Sequence, residues 1–482
     1  MVFVYILCGI LGIILVLLSA VLIRAAMFKP KNNIKVSDDT VEFDRDRSVE
    51  NLQKLITFRT VSNVDPEKED NEEFEKLVNE LPKLYPEVFK TCEFKRFDGR
   101  ALLFKWKGRT EGDPSVLMAH YDVVPVDESA WEEPPFDGVI KDGYLWGRGA
   151  IDTKVTFNAT LTAANELMKT GFVPEKDIYM AFSGGEEIAG PGAGNIVDYF
   201  EKSGICPSLV IDEGGAVVEG VFPGVKEKCG LIGIAEKGMI NVTYTAKSAG
   251  GHASAPKPHT PIGTLSKACA NVEKHPFKFH LTKPVAEMFD TLGRRSTFTY
   301  RMIFANLWLF KGVLDKLCVK SGGELNALVR TTVAFTQMKG SDAFNVIPTE
   351  ANMLSNIRLN PEDSIQSAIG YLNKVIGDET VKVAVDGNGM EPTIISDIDC
   401  DGYKKVASAV ASTWKGTVVA PYLMVQGSDS RRYQRITDKI YRFSAVELSK
   451  EERSTIHGNN ERIKIETVKK SVEFYIRLIK SC

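Results

Sequence analysis

Residues 178–190 read IYMAFSGGEEIAG, an apolar run that leads into two adjacent glutamates, Glu186 and Glu187. A short, continuous apolar run bounded by glycines is typical of a strand that is buried inside a parallel sheet. Two neighbouring carboxylates repel each other when both are ionised and poorly solvated. The stretch therefore predicts a buried strand whose end lies next to a compensating positive charge.

The segments around this strand alternate between helical and strand-like patterns. The predicted strands lie at 101–106, 116–119 and 209–211, and the predicted helices at 153–169 and around 194–202. A last helix near the C-terminus has one apolar stripe, formed by Val468, Val472, Tyr475, Ile476 and Ile479. This alternation indicates a layered α/β domain with a largely parallel sheet.

Polar residues that can bind metal follow three of the predicted strands. These pairs are His120 and Asp122, Glu186 and Glu187, and Asp212 and Glu213. Asp152, in GRGAIDTK, lies where a loop meets a helix, a position that an N-cap alone would also explain. Because ligands gather beyond the carboxyl ends of strands in open α/β sheets, we expect these side chains to converge.

The composition is that of a globular protein without a polyanionic partner. The chain has 482 residues, 44% hydrophobic and 26% charged, and this length favours two domains. A formal net charge of −3, without a long basic block, disfavours nucleic-acid binding. The eight cysteines are scattered and form no C-x-x-C motif, which argues against a zinc knuckle or a dense disulfide scaffold.

The N-terminus departs from this soluble pattern. Residues 2–23 are uncharged and long enough to cross a bilayer as a helix, so residues 1–28 are a transmembrane anchor or a signal segment. The residues that follow include Arg24, Lys29, Lys31 and Lys35. Such a basic flank favours a cytoplasmic position for that end of the span.

The pattern changes again between residues 238 and 387, where strand-like and helical stretches predict an inserted α+β domain. Residues 36–237 and 388–482 would then form the two parts of the main α/β domain. The most apolar part of the insertion is 298–318, FTYRMIFANLWLFKGVLDKLC. It is interpreted as a buried helix pair or as a surface that faces a membrane, a lipid or an acyl chain.

Several phrases occur together and in order along the chain: MAHYDVVPV, GRGAIDTK, SGGEEIAG, IDEGG, GGHAS, NVIP and IHGNNE. As a set they resemble the co-catalytic dizinc metallopeptidase family that includes aminoacylase and carboxypeptidase S. AHYDVVPV and QGSDSRRY are most similar to the carboxypeptidase S and N-acyl amino acid hydrolase branch. The resemblance implies a zinc-peptidase catalytic domain with an inserted lid that resembles a dimerisation domain.

The resemblance also implies two Zn²⁺ ions and assigns their ligands. His120 and Asp212 would hold one ion, Glu187 and His457 the other, and Asp152 would bridge both. Asp122 would fix the tautomer of His120, as hydrogen-bond partners of metal ligands do. Glu186 would act as the general base that takes a proton from the attacking water.

Four further residues are implied to contact the substrate. His252, in GGHAS, would stabilise the oxyanion, from the same chain or from a second protomer of a homodimer. Asn345 and Arg358 would contact the substrate carboxylate, and Arg431 is another candidate for this role. The long segment from about 280 to 325 is a departure that puts dimerisation in doubt and suggests an acyl-chain groove instead.

The predicted function is zinc-dependent hydrolysis of the amide bond next to a free carboxylate, in small peptides or N-acyl amino acids. Aminoacylase activity and N-fatty-acyl amino acid synthesis and hydrolysis are the alternatives within this class. A catalytically silent binding protein on the same fold is the alternative outside it. The resemblance implies a place in the secretory or vacuolar pathway, with a luminal or extracellular catalytic domain, or a secreted protein. This orientation disagrees with the cytoplasmic position that the basic flank of the N-terminal span favours.

Overall fold

The computed structural model describes residues 1–31 and 34–482. The first part of the chain begins with four helices: α1 (Val2–Met27), α2 (Arg45–Ile56), α3 (Asn71–Leu84) and α4 (Pro86–Thr91). It continues with β1 (Glu93–Phe97), β2 (Ala101–Trp106), β3 (Ser115–His120), β4 (Ile140–Lys141), β5 (Tyr144–Trp146), α5 (Lys154–Lys169), β6 (Ile178–Ser183), α6 (Gly192–Lys202), β7 (Leu209–Val218) and β8 (Cys229–Glu236).

The middle of the chain contains β9 (Gly238–Lys247), β10 (Gly251–His252), α7 (Pro261–Lys274), α8 (Lys283–Gly293), α9 (Phe298–Phe304), α10 (Leu307–Ser321), α11 (Gly323–Val329), β11 (Thr332–Lys339), β12 (Val346–Ile347), β13 (Glu350–Leu359), α12 (Ile365–Ile376) and β14 (Lys382–Met390). The last part contains α13 (Asp401–Thr413), β15 (Val418–Met424), β16 (Ile440–Leu448), α14 (Lys450–Ser454), β17 (Arg462–Lys464) and α15 (Ile465–Ser481).

An eight-stranded mixed sheet lies at the centre, in the order β1-β2-β6-β3-β7-β16-β8-β15. Strands β6 and β7 both run parallel to β3, and β16 runs parallel to β7. Every residue of β3 and β6 is buried, which explains their continuous apolar runs. The predicted layered α/β architecture is confirmed. β7 is longer than predicted because its far end pairs with β8.

Helices cover both faces of this sheet. On one face α15 packs against α5 and α13, and all five residues of its predicted apolar stripe are buried. On the other face α6 contributes Ile196, Val197 and Phe200 to a core shared with β3 and β6. The sheet is therefore held rigidly from both sides, which fixes the strand ends that carry the polar pairs.

A second, four-stranded antiparallel sheet has the order β11-β13-β9-β14. Helices α7 and α12 cover one of its faces, and Val242, Leu265, Ile357 and Leu372 lie in the core between them. Buried and exposed side chains alternate along β9, as expected for a sheet with one solvated face.

Helices α8–α11 belong to a different core from this second sheet. They pack on β8 and β15, at the edge of the eight-stranded sheet, where Phe289 and Phe304 share a cluster with Ala420 and Leu423. The inserted stretch thus divides between two cores, because the apolar edge of the large sheet offers α8–α11 a surface to cover. Residues 298–318 form a helix pair that is buried on one face and exposed on the other.

Candidate metal centre

The strand order brings the predicted polar pairs to one edge of the large sheet. His120 is the last residue of β3, and its register partner Ser183 is the last residue of β6. Glu186 and Glu187 follow in a single 3₁₀ turn, Glu186–Ile188. Because β3, β6 and β7 are parallel, their carboxyl ends meet at the same place.

The first cluster of metal-ligating side chains consists of His120, Asp152 and Glu213. The His120 Nε2 atom lies 3.1 Å from Asp152 Oδ1 and 3.3 Å from Glu213 Oε1. The other ring nitrogen, Nδ1, lies 3.0 Å from the Asp122 carbonyl and 3.4 Å from the Asp122 carboxylate. Asp122 therefore orients the ring so that Nε2 points to the two carboxylates.

Glu213 takes the place in this cluster that the sequence assigned to Asp212. Both carboxylate oxygens of Asp212 already accept backbone N–H groups, from Glu213 at 2.9 Å and from Ser430 at 2.8 Å. Adjacent residues of a strand point to opposite faces, so only one of the two can face His120. The assignment of Asp212 is corrected accordingly: it supports the backbone beside the cluster, and Glu213 joins the cluster.

The second cluster consists of Asp152, Glu187 and His457. The His457 Nε2 atom lies 3.0 Å from Asp152 Oδ2 and 3.1 Å from Glu187 Oε2. Asp152 thus offers one oxygen to each cluster, which is the geometry of a bridging carboxylate. Glu187 Oε1 is buried and has no hydrogen-bond partner in the described part of the chain. An unpartnered buried carboxylate oxygen is costly unless a cation or a proton satisfies it.

Both clusters contain carboxyl groups that are buried close to one another, and this shifts their pKa values. Burial raises the pKa of Glu213 to about 8 and that of Glu186 well above its usual range, and the neighbouring carboxylates add to both effects. Hydrogen bonds to Asp152 and Glu187 raise the pKa of His457 to about 10. Burial raises the pKa of Asp152, but its hydrogen bonds to His120 and His457 lower it more, and the net shift is downward. Imidazole and carboxylate donors in this arrangement fit a pair of divalent metal ions.

Glu461 is a supporting residue that the sequence analysis did not identify. Its buried carboxylate accepts hydrogen bonds from Arg148 Nη1 at 2.5 Å and from the backbone N–H groups of Ile151 at 2.6 Å and Asp152 at 3.1 Å. Arg148 also donates to the Gly458 carbonyl at 2.7 Å. The loops that carry Asp152 and His457 are thereby joined. Glu461 is the last residue of the phrase IHGNNE, which carries part of the family resemblance, and no role was predicted for it.

Asp122 also holds the turn that carries the two glutamates. Its carboxylate oxygens accept the backbone N–H groups of Glu186 at 3.1 Å and Glu187 at 3.2 Å, and the hydroxyl of Ser62 at 2.7 Å. One buried carboxylate therefore positions the His120 ring and the Glu186–Glu187 backbone together.

The QGSDSRRY segment links this centre to the start of the inserted stretch. Ser430 donates its backbone N–H to Asp212, and its hydroxyl lies 3.3 Å from Glu236 Oε1. The buried carboxylate of Glu236 also accepts from Ser428 at 2.8 Å and from Arg442 at 2.7 Å. Glu236 ends β8 and directly precedes the second sheet.

The four predicted substrate contacts lie outside both clusters. His252 and Asn345 are exposed and close together, where the two-residue strands β10 and β12 pair and Ala253 donates to the Asn345 carbonyl at 2.9 Å. Arg358, on β13, is half-buried, and burial and the positive charge of Arg431 lower its pKa. The structure thus pairs His252 with Val346, next to Asn345, and brings Arg358 near Arg431.

A cavity of about 490 Å³ opens from the two clusters, and Glu186 and Gln426 also line its polar end. Away from the clusters its lining is mostly apolar and comes from β7, β8, β15, β16, α8 and α11, for example Val218, Leu231 and Met288, with Glu324 and Arg453 as charged exceptions. The residues that line it from the helical region belong to α8 and α11. The stretch 298–318, which was expected to line such a groove, lies beside these helices and does not contribute to the lining.

Comparison with known proteins places this centre in a family. The model of Peptidase family M20/M25/M40 matches residues 116–481, and the chain belongs to this family of metallopeptidases. "Probable carboxypeptidase S-like 2" of Dictyostelium discoideum is 35% identical over 481 residues, covering 98% of this chain and 92% of that protein. "N-fatty-acyl-amino acid synthase/hydrolase PM20D1" of Xenopus tropicalis is 35% identical over 480 residues, covering 97% and 93%.

A solved structure shows the same fold. The M20 family metallo-carboxypeptidase Sso-CP2 from Sulfolobus solfataricus aligns with a TM-score of 0.64 at 18% identity, covering 90% of this chain and 98% of that one. The predicted resemblance to the carboxypeptidase S and N-acyl amino acid hydrolase branch is confirmed, and the protein is an enzyme of this hydrolase class.

Proposed function

We propose that this enzyme hydrolyses the amide bond of N-acyl amino acids that carry a long apolar acyl group. The observation that carries the proposal is the cavity, because its apolar part is continuous with Asp152, Glu187 and Glu213. Its volume lies within the range of small-molecule sites, about 300–1,000 Å³. An acyl chain in the apolar part would place its amide carbonyl at the polar end, beside Glu186.

We assign two Zn²⁺ ions as the cofactors, since imidazole and carboxylate ligands suit zinc. His120, Asp152 and Glu213 would hold one ion, and Asp152, Glu187 and His457 the other. A bound pair of such ions supplies an activated water and polarises a carbonyl. Asp122 holds His120 in the tautomer that leaves Nε2 free to bind, and Glu461 holds the Asp152 backbone.

Glu186 is the general base in this proposal. It lies on the same 3₁₀ turn as Glu187, lines the cavity and belongs to neither metal cluster. Its place beside both clusters at the polar end of the cavity lets it take a proton from the attacking water. It then gives this proton to the nitrogen of the leaving amino acid, which completes the cleavage.

Arg358 and Arg431 are proposed to bind the substrate carboxylate. Both are half-buried, and each guanidinium carries a positive charge in a place where burial disfavours it. A substrate carboxylate would add charge-assisted hydrogen bonds to both, beside the 3.6 Å ion pair that Arg431 already forms with Glu236. Asn345 and His252 are proposed to complete the site, with His252 on the oxyanion. Because His252 is exposed and outside the cavity lining, this role requires movement of the second sheet or a second copy of the chain.

Cleavage of small peptides is the second candidate, and it is supported by the carboxypeptidase name of one relative. An apolar cavity is less suited to a peptide backbone, whose polar groups would remain unpaired there. The N-terminal apolar helix, near the chain start and long enough for a membrane, supports a location in the secretory or vacuolar pathway.

A hydrolysis screen tests these assignments. Dipeptides, N-acetyl amino acids and N-oleoyl amino acids are compared as substrates, with and without a chelator and with the Glu186→Gln variant. Chelator-sensitive turnover that is highest for the N-oleoyl series supports the proposal. Preference for dipeptides contradicts the substrate assignment, and turnover that survives Glu186→Gln contradicts the mechanism.

A further inference from the structure

The end of the long N-terminal helix is part of the folded domain. α1 is long and apolar enough to cross a membrane, and almost all of its side chains are exposed. Its two buried residues, Val21 and Ala25, lie near its C-terminal end and pack on α9. This short buried region sets the end of α1 apart from the rest of the helix.

Polar groups hold this end of α1 in place. The Arg24 side chain donates to the Ala305 carbonyl through Nε at 3.1 Å and Nη2 at 3.0 Å. In the other direction, the buried Asn306 amide donates to the Val21 carbonyl at 3.2 Å. Reciprocal hydrogen bonds of this kind fix the position of a helix end relative to the helices that it contacts.

The residues after α1 continue this contact with α8. The Arg294 guanidinium lies 4.2 Å from the centre of the Phe28 ring, and Arg294 donates to the Lys29 carbonyl at 3.0 Å. Lys31 pairs with Asp290 at 3.0 Å. The boundary of the apolar span therefore lies directly against the helices α8 and α9.

Helix α10, which follows α9 after two residues, carries an apolar face that residues 1–31 and 34–482 leave uncovered. Leu309, Val313 and Leu317 are spaced four residues apart and are 45%, 55% and 53% exposed. Trp308 beside them is 59% exposed. We call these four residues the α10 stripe. Exposed apolar side chains grouped in this way mark a contact surface.

Lysines accompany the α10 stripe. Lys311, Lys316 and Lys320 are exposed on the same helix. Lys316 and Lys320 follow Val313 and Leu317 by three residues and so share the face of the stripe, a mixture of apolar and basic side chains that suits the interface of an anionic lipid bilayer. The lysine stems extend along apolar surface while the ammonium groups reach the lipid headgroups.

We propose that the α10 stripe docks on the lipid bilayer that α1 spans, so that the enzyme is held to the membrane surface by a rigid two-point contact. The argument for lipid is continuity: α1 brings the bilayer boundary to Val21 and Ala25, and α9 connects this boundary directly to α10. The lysines complement an anionic lipid surface. This inference does not depend on the proposed activity, because it uses no residue of the metal centre.

The test uses the full chain in vesicles and an intrinsic probe. The protein has five tryptophans, and α1 contains none. Three of the others, Trp106, Trp146 and Trp414, are buried in the large domain. The difference in emission between the wild type and Trp308→Phe therefore isolates the signal of Trp308. Vesicles of phosphatidylcholine and phosphatidylglycerol are prepared with and without lipids brominated near the carbonyl end of the acyl chain.

For an interfacial helix buried about 5–10 Å into the headgroup and acyl boundary, brominated lipid should reduce the Trp308 signal by about half. Acrylamide in the water should quench it weakly. Strong acrylamide quenching without quenching by brominated lipid would overturn the proposal. Protection from both quenchers would also overturn it, since a second protein chain would then cover the stripe.

A second variant keeps the tryptophan and changes its surroundings. Combined Leu309→Ser, Val313→Ser and Leu317→Ser should lower the quenching by brominated lipid and raise the quenching by acrylamide. The matched control replaces three exposed apolar residues elsewhere, Val64, Ile140 and Val173, by serine and should quench like the wild type. Equal quenching in the stripe variant and the control would contradict a role of the stripe in membrane contact.

Discussion

Glu461 accepts the backbone N–H of Asp152, and this hydrogen bond of 3.1 Å joins two of the chain segments that build the metal centre. Asp152 precedes α5, whereas Glu461 follows His457 near the end of the chain. Since Asp152 offers an oxygen to each cluster, its position decides whether both clusters form. The Glu461 carboxylate is therefore a positioning group for both clusters, although it belongs to neither.

Glu461→Gln should weaken metal binding by about 10–100-fold, the usual effect of removing a group that orients ligands. The amide retains the shape but loses charge and one acceptor for Arg148 and the Ile151 N–H. Zinc content after dialysis against a graded competitor chelator measures the change. Glu451→Gln, an exposed glutamate on the preceding helix, is the matched control and should bind like the wild type. Equal affinities in the two variants would argue against the positioning role.

The two adjacent glutamates of FSGGEEIAG should separate into different functions. Glu187→Gln removes a charged oxygen 3.1 Å from His457 and should lower metal occupancy of the second cluster. Glu186→Gln should retain metal and lose about 10²–10⁴-fold in kcat, since it removes only the base. Metal content and turnover are measured on the same preparations. Loss of metal in both variants would show that the turn acts as one unit.

A similar pair of variants tests the assignment of Glu213. Glu213→Gln should reduce metal binding at the first cluster. Asp212→Asn should leave the metal ligands in place and instead destabilise the fold by about 1–3 kcal/mol. The amide has only one oxygen to accept the two backbone N–H groups that the Asp212 carboxylate now accepts. Metal titration and thermal unfolding distinguish the two effects. The reverse pattern would restore Asp212 as the ligand.

The apolar cavity should set the preference for acyl length. Ala216→Leu adds bulk to the wall of the cavity and should lower kcat/KM for N-oleoyl substrates relative to N-acetyl substrates by about tenfold or more. Ala216→Ser, which nearly preserves the volume, is the control. An unchanged ratio in the leucine variant would indicate that the acyl chain binds elsewhere.

Lys237, at the entry to the second sheet, should make stability depend on pH. Burial, with a contribution from Arg358, lowers the pKa of its ammonium to about 7 from a usual value of 10.5. Between these values the unfolded chain keeps a proton that the folded chain has released, so stability rises with pH across this window. From pH 7 to 9 the gain is about 2–3 kcal/mol at most, from 1.36 kcal/mol per unit.

Lys237→Met removes this dependence. The free energy of unfolding is measured for both proteins by chemical denaturation in the same detergent. The wild-type value minus the variant value should increase from pH 7 to pH 9. A difference that stays constant with pH would mean that the buried Lys237 retains its proton, which its acceptors, the carbonyls of Ala327 and Arg330, would then stabilise.

The sequence predicts those ligands of the metal centre whose positions follow from the ends of the parallel strands. His120 and Glu187 follow buried apolar strands, and Asp152 begins a helix, so their convergence follows from a parallel sheet alone. The choice between Asp212 and Glu213 does not follow, because adjacent residues point to opposite faces and their register depends on neighbouring strands. β16 pairs with β7 in regular register up to Asp212 and through irregular steps directly after it, and these steps leave no local pattern.

The inserted stretch shows a different limit. Its apolar helices were expected from the sequence, but the surface that covers them was not. α8–α11 pack on β8 and β15, and long stretches of sequence separate these strands from the helices. Hydrophobic burial is not directional, so an apolar pattern predicts that a face is covered without identifying the partner.

The contact between α1 and α9 has a consequence for any soluble form of this enzyme. Removal of residues 1–28 would take two donors from the Ala305 carbonyl, an acceptor from the Asn306 amide and the Phe28 ring from its place beside Gly293. Phe304, next to these groups, packs on Phe222, which lines the cavity. Cleavage of the chain after α1 would thus loosen one wall of the cavity beside the metal centre, so that a form without α1 would differ from the full chain in its cavity as well as in its length.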